Sequence, residues 1–161
     1  MRVVHYTKPF FKLHPITIKN GDGKTGAFIK PHGGLWCSPL DSAYGWIDWC
    51  RAESYGDIDH EQRVILDVDT SNFLVIDSVE DMEEKLPWYQ IHDMFPAIDF
   101  EKLIQQGIEG IHLTEKGQIV TRLTHPRSLY GWDCETVFIL NERCIKEVSV
   151  YGYDYKWRLG K

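Results

Sequence analysis

The sequence predicts an α+β fold with a split, curved mixed β-sheet and flanking helices. Two observations predict it. Strand-like runs recur along the whole chain, and helix-start signals separate some of them while only turn residues separate others. The order lacks the regular βαβ alternation of a parallel sheet, and the 161 residues show no internal repeat or composition break. We therefore expect a single domain over residues 1–161.

The N-terminal third predicts a strand, a long loop and a helix. Residues 2–6 favour a strand because β-branched and aromatic side chains dominate them. Prolines and glycines then prevent a long regular element as far as the turn at Gly33 and Gly34. A brief strand follows, after which Asp41 or Ser42 can cap a helix. The apolar stripe of this helix has helical spacing and comprises Ala43, Trp46, Ile47 and Cys50.

The rest of the chain predicts further strands and two capped helices. Residues 63–68 and 73–77 are strand-like and are joined by turn-forming residues, so a hairpin is the simplest interpretation. Ser78 begins one helix, and Asp99 begins another that Gly107 ends. The predicted elements outside these are an ordered loop over residues 87–96, strands at 108–113 and 147–151, and a strand that Glu135 opens.

Composition narrows the functional class. A formal charge of −6 disfavours broad electrostatic attachment to nucleic acid. The longest apolar runs are too short for a membrane span, and the N-terminus lacks a secretory signal pattern, so we expect a cytoplasmic protein with no membrane association. The four cysteines lack zinc-site spacing and are expected as free thiols, with no metal cofactor. A Rossmann site is rejected because no βαβ unit surrounds the glycines near residue 23.

Glu135 is the most informative single residue. It precedes Thr136-Val137-Phe138-Ile139, a run typical of a buried strand, where an unpaired charge is costly. A carboxylate at that position is either a functional group in a cleft or a strand-edge residue that faces water or a basic neighbour. The sequence alone leaves both interpretations open.

Three separated segments together resemble a known family. His5-Tyr6-Thr7 lies on the first strand, Gly34-Leu35-Trp36-Cys37-Ser38 precedes a helix, and Glu135 opens a late strand. Their order resembles the His-Tyr-Glu arrangement of the diphtheria-toxin and poly(ADP-ribose) polymerase branch of the ADP-ribosyltransferases, particularly its small bacterial and phage members. Trp36 stands where that pattern has a tyrosine. The resemblance implies an ADP-ribosyltransferase-like fold and NAD as co-substrate.

The resemblance also implies roles for individual residues. Glu135 would orient the nicotinamide ribose, His5 would bond a ribose hydroxyl, and Trp36 would cover one face of the nicotinamide. These three are the catalytic candidates. The expected NAD-binding residues are His5, Tyr6, Thr7, Trp36, Ser38, Tyr44 and Trp46, with Tyr44 or Trp46 on the other face of the ring.

Structural alternatives stay open for several of these residues. His5 fits equally well as a core histidine bonded to a backbone carbonyl, Trp46 as a core residue, and Ser38 or Ser42 as a helix cap. Asp133 either assists with the acceptor or faces solvent, and Lys30 either approaches the pyrophosphate or stays solvated.

The expected function is transfer of ADP-ribose from NAD to a macromolecular acceptor, protein or nucleic acid, by a toxin, effector or phage-related enzyme. An antitoxin or immunity protein is a possible partner. A nucleic-acid acceptor would use a groove of lysines comprising Lys8, Lys12, Lys19, Lys24 and Lys30. The main alternative is a catalytically inactive module of the same fold that binds a nucleotide or protein partner. A glycosidase that pairs Glu135 with Asp133 or another acid is a third interpretation.

Overall fold

The computed structural model describes residues 1–21, 30–58, 61–92 and 95–151. The strands are β1 Arg2–Thr7, β2 Ile18–Lys19, β3 His32–Gly33, β4 Leu35–Pro39, β5 Gln62–Val68, β6 Phe73–Ile76, β7 Trp88–His92, β8 Phe95–Ile98, β9 Gly110–Leu113, β10 Thr136–Ile139 and β11 Ile145–Tyr151. The helices are α1 Trp46–Ala52, α2 Val79–Lys85, α3 Phe100–Gln105 and α4 Glu115–Thr121, and Glu142–Cys144 form a 3-10 turn. This mixture confirms the predicted α+β class.

Seven strands form one mixed sheet in the order β11-β5-β1-β4-β10-β9-β6. Neighbouring strands are antiparallel except β6 and β9, which are parallel. Two further pairs, β2 with β3 and β7 with β8, form small separate sheets. The mixed sheet expected from the sequence is therefore confirmed.

The sheet is buried on both faces at its centre. Phe138 and Val137 are adjacent in β10, point to opposite faces and are both fully buried. Phe138 belongs to a core cluster shared with Met82 of α2 and Phe100 of α3, whereas Val137 packs in a second cluster with Val3, against which residues of the first loop also pack. Helices thus cover one face, and loop residues cover part of the other. This double burial explains why β10 is a continuous apolar run.

Side-chain caps start three of the helices. Ser78, Asp99 and Thr114 each accept a hydrogen bond from the backbone N–H three residues further on. The helix starts predicted at Ser78 and Asp99 are confirmed, and Gly107 follows the second of these helices with φ +78°. Helix α4, which Thr114 caps, was not predicted.

Three local predictions are wrong. Strands β5 and β6 do not pair as a hairpin, because β5 lies between β1 and β11 while β6 pairs with β9. Residues 87–96 are not only a loop, since β7 and β8 pair there. The first helix begins at Gly45 rather than at Asp41 or Ser42, and the Gly45 N–H bonds the Asp48 carboxylate.

The central feature for function is an opening between β1 and β4. These strands pair at only two positions, Val3 with Pro39 and Val4 with Ser38. Beyond them β1 continues along β5 as far as Thr7, while β4 pairs with β10 back to Leu35. Beyond these two positions, the backbone groups of β1 and β4 therefore do not pair with each other.

Among the described residues, no helix is both long enough and apolar enough to cross a membrane.

Candidate functional site

A cavity of about 260 Å³ lies where β1 and β4 part. Its volume is slightly below the roughly 300 Å³ at which pockets begin to hold a whole drug-sized ligand. It therefore suits one ring system with part of a sugar rather than an entire dinucleotide. The cavity is lined by Val4, His5, Tyr6, Lys30, Trp36, Cys37, Ser38, Trp46, Gly131, Trp132, Asp133, Cys134 and Thr136.

His5 bridges the opening with its ring. Nδ1 lies 2.8 Å from the backbone carbonyl oxygen of Trp36. A carbonyl only accepts, so Nδ1 carries a proton and donates it. Burial lowers the pKa of His5 below 6.5, which keeps the ring neutral near pH 7. The neutral tautomer leaves Nε2 as an acceptor, so His5 is suited to accept a hydrogen bond from a ligand hydroxyl.

Trp36 forms an aromatic wall of the cavity and packs against the core. Its indole stacks on Phe138 with centroids 4.1 Å apart, and the edge of Trp132 contacts it at 4.9 Å. Gly34, at φ +77°, permits this packing because a Cβ there would lie 2.1 Å from the Phe138 ring. One face of Trp36 is thus used by the core, which leaves at most one face for a ligand ring.

Trp46 and Ser38 form the part of the wall next to α1. Trp46 stacks on Trp49 with centroids 5.1 Å apart. Ser38 Oγ accepts a hydrogen bond from the Trp46 backbone N–H at 2.9 Å, so this serine satisfies a donor in the first turn of the helix. Gly45 allows the close approach, since a Cβ would lie 3.0 Å from Ser38 Cβ. The Ser38 hydroxyl hydrogen remains available to a weak sulfur contact at 4.0 Å with Cys134 or to a ligand acceptor.

The cavity also holds one opposite-charge pair. Lys30 Nζ lies 3.9 Å from an Asp133 carboxylate oxygen and 5.3 Å from the centroid of the Trp36 ring. Burial raises the pKa of Asp133, while Lys30 and Arg122 act in the opposite direction. The described part of the cavity wall therefore combines a carboxylate, a cation and several aromatic rings.

Trp132 contributes a polar atom with an unmet hydrogen bond. The residue is 1 % exposed, and among the described residues its Nε1 has no acceptor. A buried N–H without an acceptor costs about 1–3 kcal/mol. Trp132 is a residue of the cavity lining, so a ligand acceptor that reached Nε1 would remove that cost.

Glu135 lies beside the cavity without lining it. Its carboxylate accepts a hydrogen bond from Ser42 Oγ at 2.7 Å and contacts His112 Nε2 at 2.9 Å, and its backbone N–H bonds the Tyr44 carbonyl at 3.3 Å. We call Ser42, Glu135 and His112 the Glu135 cluster. Cys134 and Thr136, the two chain neighbours of Glu135, do line the cavity. The backbone of Glu135 therefore lies at the margin of the cavity, while Ser42 and His112 hold its carboxylate outside the lining.

The structure brings together five of the residues that the sequence associated with NAD. His5, Tyr6, Trp36, Ser38 and Trp46 line the cavity, whereas the residues outside its lining are Thr7, Tyr44 and Glu135. His5 does bond a backbone carbonyl and Ser38 does serve helix α1, so the structural interpretations of both are confirmed, while their roles in binding NAD stay predictions.

Sequence reasoning gave no role to Trp132 or His112. For Trp132 a local signal existed, because it is an aromatic residue directly before the candidate acid Asp133. For His112 there was none, because only the pairing of β9 with β10 brings it to Glu135. Among the described residues, no group of three or more His, Cys, Asp or Glu side chains is arranged to hold a metal ion. No family model, curated protein or solved structure matches this chain.

Proposed function

We propose that this protein is an ADP-ribosyltransferase that binds the nicotinamide end of NAD in the cavity and transfers ADP-ribose to a macromolecular acceptor. One observation carries the proposal. Five of the residues that the resemblance assigns to NAD binding line the same cavity, and they come from β1, β4 and α1: His5, Tyr6, Trp36, Ser38 and Trp46. The size of the cavity suits nicotinamide with part of its ribose, and the adenosine half would lie outside.

The reaction needs little covalent chemistry from the protein. The bond between the ribose C1′ and the nicotinamide nitrogen breaks, and its electron pair leaves with nicotinamide, which becomes neutral. A nucleophilic oxygen or nitrogen of the acceptor forms the new bond to C1′ and loses its proton to a carboxylate or to water. Positive charge develops on the sugar in between, so catalysis consists of positioning and charge stabilisation.

The cavity residues supply the positioning. In our proposal the nicotinamide ring lies against Trp36, the Tyr6 backbone bonds its carboxamide, and the Ser38 hydroxyl donates to the carboxamide oxygen. His5 Nε2 accepts from a ribose hydroxyl, as its neutral tautomer allows. Each of these contacts uses a group that the fold already holds in place.

Glu135 supplies the negative charge. The ribose must project beyond the cavity lining to reach the Glu135 carboxylate, or the carboxylate must exchange its bond with Ser42 for one with a ribose hydroxyl. His112 holds the other carboxylate oxygen in either case. A carboxylate fixed in this way stabilises the developing positive charge without reorganising during the reaction.

The acceptor class follows from charge. A net charge of −6 favours a protein acceptor over nucleic acid, although a local lysine groove would suit RNA or DNA. Lys24 of that groove lies outside the described residues. We further propose a cytoplasmic toxin, effector or phage-related role, with an antitoxin or immunity protein as a possible partner.

The test uses NAD that carries one label in its nicotinamide and a second label in its adenine. Incubation with cell extract should release the nicotinamide label in solution and move the adenine label into macromolecules. Trp36→Leu should reduce both signals, whereas the matched change Trp88→Leu, at an indole outside the cavity lining, should leave them near the wild-type level. Loss of neither signal in Trp36→Leu, or absence of both in the wild type, would reject the proposal.

A second candidate is a catalytically inactive module that binds a nucleotide. It is favoured by the position of Glu135, whose two carboxylate oxygens are already bonded within the protein. The module would bind NAD with Trp36 and His5 but release no nicotinamide. Equilibrium binding of NAD without release in any extract would establish this alternative.

A further inference from the structure

The lining of the cavity combines aromatic rings with a carboxylate. Four of its side chains are aromatic, namely Tyr6, Trp36, Trp46 and Trp132. Asp133 is the one carboxylate in the described lining, and His5 is neutral near pH 7. Aromatic faces together with a carboxylate attract a positive charge through the ring quadrupole and by direct Coulomb interaction.

Lys30 shows that a cation fits this environment. Its ammonium group lies over the Trp36 ring and next to the Asp133 carboxylate, at 5.3 Å and 3.9 Å respectively. The side chain passes close to Gly131, whose missing Cβ would lie 3.6 Å from Lys30 Cε. It is also 41 % exposed, so the ammonium can move into water without breaking a buried contact. A cation of the protein itself thus rests where a ligand cation would be attracted.

We propose that Asp133 and Trp36 make the cavity selective for a positively charged flat heterocycle and that Lys30 is a displaceable internal competitor for that charge. The identification of this heterocycle with the nicotinamide ring of oxidised NAD rests on the proposed function. The selectivity for charge does not depend on any transfer step.

The proposal has a direct consequence for substrate and product. The nicotinamide ring is positively charged in oxidised NAD and neutral in reduced NAD, so the cavity favours the oxidised form. Cleavage of the glycosidic bond makes the leaving nicotinamide neutral, which removes its attraction to Asp133. Lys30 can then return to the carboxylate and help to expel the product.

Two small probes isolate the charge. Nicotinamide and 1-methylnicotinamide share the ring and the carboxamide, and the methylated compound carries one positive charge. Their dissociation constants can be measured by tryptophan fluorescence and calorimetry at pH 8, where Asp133 is ionised. The wild-type protein should bind the cation about tenfold more tightly than the neutral ring, the factor expected from a partly desolvated cation–π contact assisted by a carboxylate.

Variants assign the effect to individual residues. Asp133→Asn should abolish the preference by weakening the cation alone, and the unchanged affinity for nicotinamide serves as its folding control. Asp67→Asn, at an acid that pairs with the terminal amino group away from the cavity, should keep the preference. Lys30→Met retains the apolar stem and should tighten the binding of the cation, whereas Lys30→Arg should not.

The outcomes separate this inference from the proposed function. Equal affinity for the two probes, binding of neither probe, or an unchanged preference in Asp133→Asn would overturn charge selectivity. A charge preference without release of nicotinamide from NAD would support the inference and reject the transferase. Release of nicotinamide without a charge preference would do the reverse.

Discussion

Two neighbouring groups of polar side chains, those of the cavity and those of the Glu135 cluster, differ in how completely they are bonded. Among the described residues, Trp132 Nε1 has no acceptor, and Asp133 contacts Lys30 at 3.9 Å. In the Glu135 cluster, both carboxylate oxygens have partners within 3 Å.

The difference indicates a division of labour. Buried polar groups are nearly always satisfied in folded proteins, so the Trp132 N–H, in a residue of the cavity lining, is a candidate donor to a ligand. A carboxylate held by two partners is instead fixed in orientation, as suits a group that stabilises charge. In our proposal the cavity binds the ligand and the Glu135 cluster stabilises charge, and the following predictions test that division.

The largest effect is expected for Glu135→Gln. The amide retains the shape of the side chain but removes its charge, so nicotinamide release should fall by about 10²–10³-fold, as for loss of one preorganised electrostatic group. The affinity for NAD should change little. Steady-state release assays with direct NAD titrations separate the two effects. Glu84→Gln, at an exposed acid, is the control, and a fall in affinity that accounted for all of the lost rate would place Glu135 in binding instead.

A smaller effect is expected for Ser42→Ala. The carboxylate keeps its contact with His112 but loses the hydroxyl donor, so the maximal rate should fall about tenfold through poorer orientation. KM should stay near its wild-type value, and Ser42→Thr, which restores a hydroxyl, should recover part of the rate. If the alanine variant retained the full rate, the bond from Ser42 would be purely structural.

Trp132→Phe should weaken the binding of NAD while changing the stability of the fold little. The change removes an unsatisfied buried N–H, so the free energy of unfolding should stay within about 1 kcal/mol of the wild type despite the smaller ring. The affinity for NAD should fall by about threefold to tenfold if the indole donates to the ligand. Urea denaturation and calorimetric titration measure the two quantities. Unchanged affinity would mean that the N–H does not face the ligand.

The smallest effect concerns His5 and pH. Burial lowers the pKa of His5 in the folded state. At pH values between this lowered pKa and 6.5, the unfolded chain therefore binds more protons than the folded protein does. The stabilising contribution of neutral His5 is complete above pH 6.5 and is lost as the pH falls below it. Urea denaturation from pH 7.5 to 5 should show this loss in the wild type and a smaller one in His5→Gln, which can still donate to the Trp36 carbonyl. Equal losses in both proteins would show that His5 is not responsible.

Local signals predicted part of this structure well. Ser78 and Asp99 act within one helical turn, so the residue type alone identified them as caps. The hairpin prediction was wrong because the turn residues between β5 and β6 carry only local information. Strand β6 pairs instead with β9, a parallel strand that follows much later in the chain. Pairings between distant segments are not encoded in local sequence pattern.

The same limit applies to the site. The order of the motifs indicated His5, Trp36 and Glu135 as candidates. The sequence could not reveal whether the side chain of each one faces the cavity. Glu135 and Thr136 are neighbours in the chain, yet only Thr136 lines the cavity. The partner of Glu135 was equally hidden, because His112 reaches it across a strand pair.

The indole N–H signals of the tryptophans give the most direct test of the central claim, that the cavity holds the nicotinamide end of NAD. In a nitrogen-15 correlation spectrum recorded during titration with NAD, the signals of Trp36, Trp46 and Trp132 should shift together in one saturable process. The signal of Trp88, whose N–H bonds the Met82 carbonyl outside the cavity, should stay fixed. No shift at the three cavity tryptophans, or an equal shift at Trp88, would contradict the account.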